Sequence, residues 1–368
     1  MGRHLILVGG GHAHLHALSQ ARGILRRGHR MTLINPQPWH YYSGMAPGLL
    51  GGTYNAEELR FSLDEIAAKS GIETIWERVV RIDSQQRSLI LASRRSVHYD
   101  VASFNIGSEV NSDIPVALQR RVVTVKPVER LSEIRQQIEA WPPGRPLRVV
   151  VVGGGTAGVE LAGNLRRLVE RNRLDGRVVL VAGEELLPGW PVGQKAKIRD
   201  YFRRRSITMK EGIRVESYRD QVLELSNGEQ LAYDFALVAT GIQSPQLFRE
   251  SSLSVGPDGG LNINPFLQSI DDPHLFAAGD CAYFGTMPLE KAGVYAVRQG
   301  PVLTHNLIAA LEQRPLNTYS PQQKFMQILN LGDNRALLKR SPLSLFGVLP
   351  WRIKDRIDRS FMATHQPH

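Results

Sequence analysis

The segment from Leu147 to Asn172 reads LRVVVVGGGTAGVELAGNLRRLVERN and carries a complete G-x-G-x-x-G motif. The six residues before the glycines form an apolar run rich in valine, typical of a parallel strand buried on both faces. The residues after them place apolar side chains at helical spacing. This strand, turn and helix predict a dinucleotide-binding unit: Gly153 makes the tight turn, Gly155 lets backbone N–H groups approach a pyrophosphate, and Gly158 brings helix and strand together.

An incomplete copy of the motif opens the chain in HLILVGGGHAHLHAL, His4 to Leu18. Gly9 and Gly11 occupy the first two motif positions, but the third falls on His14. Because only glycine permits the closest approach, we expect His14 to hold the helix away from the strand or to turn its side chain outward. The turn survives this change, and we expect His12 and His14 to lie beside bound phosphates.

The same histidines could instead belong to a metal site. His12 and His16 are four residues apart and would share a helix face, which is a usable pair of zinc ligands. No acidic or cysteine ligand lies nearby in the sequence. The sequence therefore predicts no metal site.

The residues after the second strand of each unit bear on cofactor choice. An acidic residue that bonds the ribose hydroxyls is expected about twenty residues after the first turn, but Asn35 stands there. Asparagine can bond a hydroxyl without the charge-assisted strength of a carboxylate. In the second unit Ala182 and Gly183 end the strand, with Glu184 just beyond, so the sequence does not choose between NADH and NADPH.

Composition limits the class of protein. The 368 residues suffice for two domains, and the formal net charge of +10 favours acidic partners. The basic runs lack interleaved aromatic residues, so nucleic acid is not the expected partner. No stretch approaches 18 consecutive apolar residues and no signal-peptide pattern opens the chain, so a cytoplasmic protein is expected. Cys281 is the single cysteine, which excludes an intrachain disulfide.

Two later segments place small residues where strands end. DFALVATGIQSP runs into Ala239, Thr240 and Gly241, and DPHLFAAGDCAYFG runs into Gly279 and Asp280. The pocket of an open α/β sheet lies outside the carboxyl ends of its strands, where small residues let a ligand come close. An ordinary loop would explain either segment alone, but not their order together with two glycine turns.

These motifs resemble, over nearly the whole chain, the two-dinucleotide-binding-domain flavoproteins of the pyridine nucleotide-disulfide oxidoreductase superfamily. The resemblance implies an α/β fold of two Rossmann-like domains, like glutathione reductase, with a short C-terminal extension. It implies FAD at the first turn and NADH or NADPH at the second. The segments PWHYYSGMAPGLLGGTY, ELLPGWP and WRIKDRIDRSFM resemble the type II NADH:quinone oxidoreductase-like branch, in the variant also found fused to selenide, water dikinase.

The resemblance also implies roles for individual residues. Asp280 would hold the flavin ribityl chain, Glu160 would lie near the nicotinamide, and the segment around Ser43 would lie beside the flavin ring. The residues predicted to contact cofactors are Gly9, Gly11, His12, Ala13, Asn35, Ser43, Gly153, Gly155, Thr156, Ala157, Gly158, Thr240, Gly241, Gly279 and Asp280. The residues predicted to be catalytic are Glu160, Lys291 and Gln299.

Lys291, Tyr295 and Gln299 are spaced four residues apart and would share one helix face. A cation there would stabilise an anionic reduced flavin, and Gln299 could bond a quinone carbonyl. A surface stripe with a packed tyrosine is the alternative.

The chemistry that follows is oxidation of NADH or NADPH by FAD and transfer of electrons to a quinone or similar small acceptor. Cys281 has no partner, so a redox-active disulfide is not expected. Two alternatives remain open: reduction of another small acceptor, for which the fused relatives suggest a link to selenium, and a slow-turnover flavin redox sensor or interaction protein.

The expected domains are a discontinuous FAD domain in residues 1–115 and 259–318, a nucleotide domain in 116–258, and a C-terminal segment in 319–368. In that last segment Ile353, Ile357 and Phe361 form a helical stripe among basic residues. Such a helix can lie in an anionic membrane interface, pack on its own FAD domain or contact a second subunit. The expected state is a monomer or homodimer, cytoplasmic or peripheral at the inner face of the membrane.

Overall fold

The computed structural model describes residues 2–110, 114–322, 324–340 and 343–366. Its α-helices are α1 (His12–Ser19), α2 (Ala21–Arg26), α3 (Ala46–Leu50), α4 (Leu63–Ser70), α5 (Glu129–Glu139), α6 (Thr156–Arg171), α7 (Val192–Arg204), α8 (Leu247–Glu250), α9 (Gly293–Glu312) and α10 (Val348–His365). Short 3₁₀ turns span Ser43–Met45, Ala56–Leu59, Val116–Leu118 and Gly279–Cys281.

The strands are short and belong to several sheets. They are β1 (His4–Val8), β2 (Arg30–Ile34), β3 (Trp39–Tyr41), β4 (Arg60–Ser62), β5 (Glu73–Ile75), β6 (Val79–Asp83), β7 (Ser88–Leu91), β8 (Ser96–His98), β9 (Val101–Phe104), β10 (Glu109–Val110), β11 (Val122–Thr124), β12 (Leu147–Val152), β13 (Gly176–Ala182), β14 (Ile207–Glu211), β15 (Val215–Arg219), β16 (Val222–Leu225), β17 (Gln230–Ala232), β18 (Phe235–Val238), β19 (Ile242–Gln243), β20 (Leu261–Ile263), β21 (Leu275–Ala277), β22 (Ala282–Phe284), β23 (Gln327–Asn330), β24 (Ala336–Arg340) and β25 (Leu343–Gly347).

The first large sheet has the strand order β21-β9-β1-β2-β5, and all its pairings are parallel. Strand β1 lies at its centre, and Leu5 to Val8 are buried because both faces of the strand are covered. Strand β21 joins β9 at the edge although it comes far later in the chain. The chain therefore leaves this sheet after β9 and returns to it at β21.

The second large sheet is built from the intervening chain and has the order β11-β18-β12-β13-β14, again parallel throughout. Its central strand β12 is the valine run next to the complete glycine motif, and Val149 to Val152 are buried. Two parallel sheets, each with a glycine turn after a central strand, confirm the predicted α/β fold. The domain boundaries at residues 115, 258 and 318 stay a proposal.

Smaller antiparallel sheets flank these units in the orders β6-β7-β8, β15-β16-β17 and β23-β24-β25. The C-terminal sheet β23-β24-β25 contacts α6 through β23 and packs against α10. The C-terminal sheet thus lies between α10 and the helix that follows the complete glycine motif. Among the described residues, no helix has both the length and the apolar content needed to cross a membrane.

Candidate functional site

A groove of about 810 Å³ opens at the carboxyl ends of β1, β2 and β9. Its volume falls within the range typical of small-molecule sites, roughly 300–1,000 Å³. Six of the residues predicted to contact cofactors line it, namely Gly9, Gly11, His12, Asn35, Ser43 and Asp280. The carboxyl-end location agrees with the rule for open α/β sheets.

The first glycine turn is held by a residue that the sequence analysis missed. Gly9 has φ of +89°, and its N–H donates to Ile34 O at 2.8 Å. Asn105, directly after β9, accepts from Gly11 N through its backbone oxygen and from Ala13 N through Oδ1 at 2.9 Å. Asn105 Nδ2 donates to Ala278 O at 2.6 Å. A Cβ on Gly11 would lie 2.2 Å from Asn105 Oδ1, so glycine is required there.

The sequence contains a signal that could have identified Asn105. A small polar residue and a glycine follow β9 in NIG, just as Thr240 and Gly241 follow β18. In both units the residue after the strand lies at the carboxyl edge of the sheet, beside a glycine turn. Asn105 is buried, and its bond to Ala13 uses one N–H of the α1 N-terminus that was predicted to face a phosphate.

Asn35 lines the groove, but both ends of its side chain bond to the protein. Its Oδ1 accepts from Gly10 N at 3.0 Å, and its Nδ2 donates to Gln37 O at 2.6 Å. A carboxylate could not make the second bond, because it has no proton to donate. The amide at this position therefore ties the glycine turn to the loop after β2.

The expectation that His14 lies beside the phosphates was wrong. The side chain is fully buried beneath the turn, where Nδ1 donates to Gly9 O at 2.6 Å and Nε2 accepts from Ser103 Oγ at 2.8 Å. Burial lowers the pKa of His14 to about 4, against the opposing effect of the Gly9 carbonyl. The neutral ring fills the space between helix and turn that a third glycine would have closed.

His12 lies at the groove with unsatisfied hydrogen-bonding capacity. Its Nε2 and that of His40 are shielded from solvent and have no hydrogen-bond partner within the described part of the chain. The two rings meet edge to face, 5.4 Å apart. Burial is the main cause that lowers their pKa values, to about 4 for His12 and about 3 for His40. Two neutral imidazoles therefore line the groove, with the Nε2 atom of each ring enclosed by neighbouring groups.

Asp280 lines the groove and is held by two residues that the sequence analysis did not single out. Its Oδ2 accepts from Ser108 Oγ at 2.8 Å and from Lys126 Nζ at 3.1 Å. Burial alone would raise the pKa of Asp280, but the charge of Lys126 and the Ser108 bond outweigh it and hold that pKa below its ordinary value. Asp280 is thus a fixed, ionised carboxylate.

Lys291 and Gln299 both contact the Gly279–Asp280 turn, but not from a shared helix face. Helix α9 begins at Gly293 because its N-cap, Ala292, is extended, so the prediction that placed Lys291 on the helix was wrong. Lys291 Nζ donates to Asp280 O at 2.6 Å and lies 2.9 Å from Asp258 Oδ2. Gln299 is buried on α9 and accepts from Gly279 N at 2.7 Å through Oε1. Both side chains stabilise this turn.

The second glycine turn lies at the carboxyl end of β12, outside the groove. Gly153 has φ of +128°, and a Cβ on it would lie 2.8 Å from Ala239 O. A Cβ on Gly158 would lie 1.8 Å from Gly153 O, so helix α6 packs directly on the turn. Gly155 is the N-cap of α6, with no side-chain cap and open space beside it. Thr156 and Ala157 follow in the first helical turn.

Thr240 and Gly241 are exposed next to this second turn, at the end of β18. The first N–H groups of α6 have no side-chain acceptor at the N-cap, and a helix N-terminus of this kind favours an anion. The predicted residues of the second unit are therefore brought together around one open helix end.

Glu160 belongs to a buried cluster that joins three parts of the chain. Its Oε1 accepts from Asn330 N at 2.7 Å. Lys354 on α10 donates to Gly44 O and to Asp358 Oδ2, both at 2.8 Å. Burial raises the pKa of Glu160 to about 7, although the charge of Lys354 opposes the shift. A carboxyl group with a pKa of about 7 therefore lies where α6 contacts β23.

The C-terminal helix does not present the predicted stripe to a single surface. Asp358 accepts from Tyr42 OH at 3.1 Å, and Phe361 packs against the Tyr42 ring with centroids 4.8 Å apart. Ile357, predicted in the same stripe as Phe361, is 44% exposed. The packed face instead follows Lys354, Asp358 and Met362, because the buried polar contacts orient the helix.

The environments of Cys281 and His16 disfavour redox and metal chemistry at these side chains. Cys281 is fully buried, and burial raises the pKa of its thiol to about 11, so the thiolate is disfavoured. His16 Nδ1 bonds to Thr304 Oγ1 at 2.9 Å, away from His12. Within the described ranges, no group of three or more His, Cys, Asp or Glu side chains is arranged to hold a metal ion.

Comparison with known proteins gives a consistent result. The profile of the pyridine nucleotide-disulphide oxidoreductase family matches residues 3–307. The NADH dehydrogenase-like protein YutJ of Bacillus subtilis is 22% identical over 361 residues, which cover 95% of this chain and 98% of that protein. Ferroptosis suppressor protein 1 of Mus musculus is 26% identical over 274 residues, which cover 70% of this chain and 68% of that protein.

Solved structures share the fold at low identity. NDH2 from Plasmodium falciparum in complex with NADH superposes with a TM-score of 0.84 at 13% identity, covering 99% of this chain and 97% of that one. The sulfide:quinone oxidoreductase of Aquifex aeolicus superposes with a TM-score of 0.82 at 17% identity, covering 99% and 92%. These likenesses show the arrangement of two dinucleotide-binding units and no more.

Proposed function

Because the chain belongs to the pyridine nucleotide-disulphide oxidoreductase family, we propose that it oxidises NADH or NADPH through FAD and reduces a quinone or similar small acceptor. The observation that carries the proposal is the pair of glycine turns, each at the carboxyl end of a parallel sheet and followed by a helix. One turn opens on a groove of about 810 Å³, and the other has an open helix N-terminus.

The residues of the groove fit FAD. Gly9 and Gly11 leave no room for a Cβ beside Asn105, so the glycine turn packs directly on the residue after β9 and borders the groove with bare backbone. His12 and His40 line the same groove with neutral rings, which leaves the glycine turn free of a competing side-chain charge. Asp280 is ionised and can accept from ribityl hydroxyls. FAD, when bound, supplies the hydride and electron chemistry, and the chain aligns the reactants.

Glu160 is the residue we propose to handle a proton. Reduction of a quinone by two electrons consumes protons, and a carboxyl with a pKa of about 7 can give one near neutral pH. The Asn330 N–H binds one of its oxygens and fixes the group. Lys291 and Gln299 are proposed to act by holding the Gly279–Asp280 turn in place.

The exposed face of the C-terminal region supports access to a lipid-soluble acceptor. Val348, Leu349 and Ile357 are 42%, 61% and 44% exposed, and Arg352 and Arg356 lie exposed on the same helix. An apolar and basic helical face suits an anionic membrane interface. We therefore propose peripheral contact with a membrane through α10.

Steady-state oxidation of NADH and NADPH with a water-soluble quinone tests the acceptor. We expect turnover that requires both FAD and quinone. A flavin that the nucleotide reduces but that no quinone reoxidises would contradict the quinone assignment and leave another small acceptor.

The pH dependence of kcat tests Glu160. In the wild type kcat should fall as pH rises through about 7, because Glu160 loses the proton it donates. Glu160→Gln should lower kcat and remove that limb, while Glu216→Gln, at an exposed position, should keep it. An unchanged profile in Glu160→Gln would exclude the role.

A further inference from the structure

The groove has few positive charges for a site that would hold an anionic dinucleotide. Six acidic side chains line it, namely Glu77, Glu109, Glu129, Glu133, Glu250 and Asp280. Among the described lining residues only Arg78 and Lys126 carry a permanent positive charge. Positive potential stabilises both a pyrophosphate and an anionic reduced flavin. Arg78 and Lys126 are therefore the side chains available to balance the negative charge of such a ligand.

Of these two described cations, only Lys126 is held inside the groove. The Arg78 side chain is 68% exposed and 3.8 Å from Glu109, so solvent screens its charge. The Lys126 side chain is 26% exposed and donates to Ser108 Oγ at 2.5 Å and to Asp280 Oδ2 at 3.1 Å. Its position is therefore fixed and its field is less screened.

Hydrogen bonds from neighbouring residues fix the backbone at Lys126. The residue lies between β11, the first strand of the second sheet, and α5. Thr124 Oγ1 donates to Lys126 O at 2.7 Å, and Arg130 donates to Thr124 Oγ1 at 3.0 Å. Lys126 thus reaches from the segment of the second sheet to Asp280 of the first.

The charge of Lys126 acts across the groove. Burial is the main cause that lowers the pKa values of His12 and His40, and the charge of Lys126 lowers both further. These histidines line the groove, His12 directly after the glycine turn and His40 within β3. A cofactor in the groove would lie within the same field.

We propose that Lys126 is the electrostatic positioning residue of the cofactor groove. Its ammonium group fixes Asp280 and supplies the less exposed of the two positive charges among the described lining side chains. This charge strengthens binding of the anionic cofactor and favours the reduced flavin. The proposal rests on the proposed function for the identity of that cofactor as FAD.

The test uses the full flavin-loaded chain with Lys126→Met, Lys126→Arg and the exposed control Lys197→Met. Serial dilution followed by flavin fluorescence gives the dissociation constant of FAD at low and high salt, and a redox titration gives the flavin midpoint potential. We expect Lys126→Met to bind FAD roughly tenfold more weakly at low salt, which is about 1.4 kcal/mol. The difference should shrink at high salt, and the midpoint potential should become more negative.

The conservative variants separate charge from structure. Lys126→Arg should restore most of the affinity and potential, Ser108→Ala should change the potential less than Lys126→Met, and Lys197→Met should match the wild type. An equal loss of affinity at all salt concentrations, or an unchanged potential in Lys126→Met, would overturn the proposal. If Lys126→Met fails to fold by circular dichroism, the Arg and Ser108 variants decide it. A wild type that binds FAD but is not reduced by NADH or NADPH refutes only the proposed function, and one that binds no FAD refutes both.

Discussion

Replacing His14 by glycine would restore the complete glycine motif and should nevertheless destabilise the protein. The His14 ring is fully buried and makes two hydrogen bonds, to Gly9 O and Ser103 Oγ. Without the ring, each buried partner loses its bond, at a cost of about 1–3 kcal/mol apiece. Glycine inside a helix adds up to about 1 kcal/mol relative to alanine. We expect His14→Gly to lose about 3–5 kcal/mol of unfolding free energy, within the range of severe core substitutions.

The comparison with the second motif gives the physical reason. At Gly158 a Cβ would lie 1.8 Å from Gly153 O, so that helix rests directly on its turn. At the first motif the imidazole takes up the gap, and glycine would leave a cavity there. A glycine at the third motif position therefore suits the packing of helix on turn in the second unit but not in the first.

Urea unfolding at saturating FAD, followed by circular dichroism, measures the effect. His14→Ala should resemble His14→Gly, whereas the control His16→Ala should cost less than about 1.5 kcal/mol, because it removes one bond at a partly exposed site. A His14→Gly protein within about 1 kcal/mol of the wild type would refute the spacing argument.

Three further predictions concern the pKa of His14, the second glycine turn and the exposed face of α10. The pKa of His14 is 6.5 in the unfolded chain and about 4 in the folded protein, so only the unfolded state gains a proton between these pH values. The free energy of unfolding should therefore fall by about 3 kcal/mol as the pH drops from 6.5 to 4. His14→Gln should reduce the slope of unfolding free energy against pH. Gly155→Ala should lower the melting temperature only slightly, because no described atom lies within 4 Å of the added Cβ, but should weaken NAD(P)H binding in a titration. Leu349→Glu should lower sedimentation with anionic vesicles roughly tenfold while NAD(P)H oxidation with a soluble quinone is retained.

Local patterns in the sequence predicted the parts of the fold that depend on neighbouring residues. The valine run and Gly153 to Gly158 specify a strand, a turn and a helix within a few residues of one another, and the structure has all three. The small residues at the ends of β18 and β21 likewise lie at carboxyl edges. These features follow from backbone geometry and spacing alone.

The sequence could not predict contacts that form between distant segments. The buried ring of His14 accepts a hydrogen bond from Ser103, which lies in β9. Lys126 gains its place in the groove from Asp280, which joins the first sheet only after the chain returns. The orientation of α10 depends on Asp358 bonding to Tyr42. In each case the partner lies far away in the chain, and no local periodicity signals it.

Anaerobic addition of one equivalent of NADH or NADPH to the flavin-loaded chain tests the central claim most directly. The two glycine turns, the groove and the Asp280 carboxylate together predict that one nucleotide bleaches the visible absorbance of one flavin per chain. A chain that binds FAD stoichiometrically but whose flavin neither nucleotide bleaches would contradict the account.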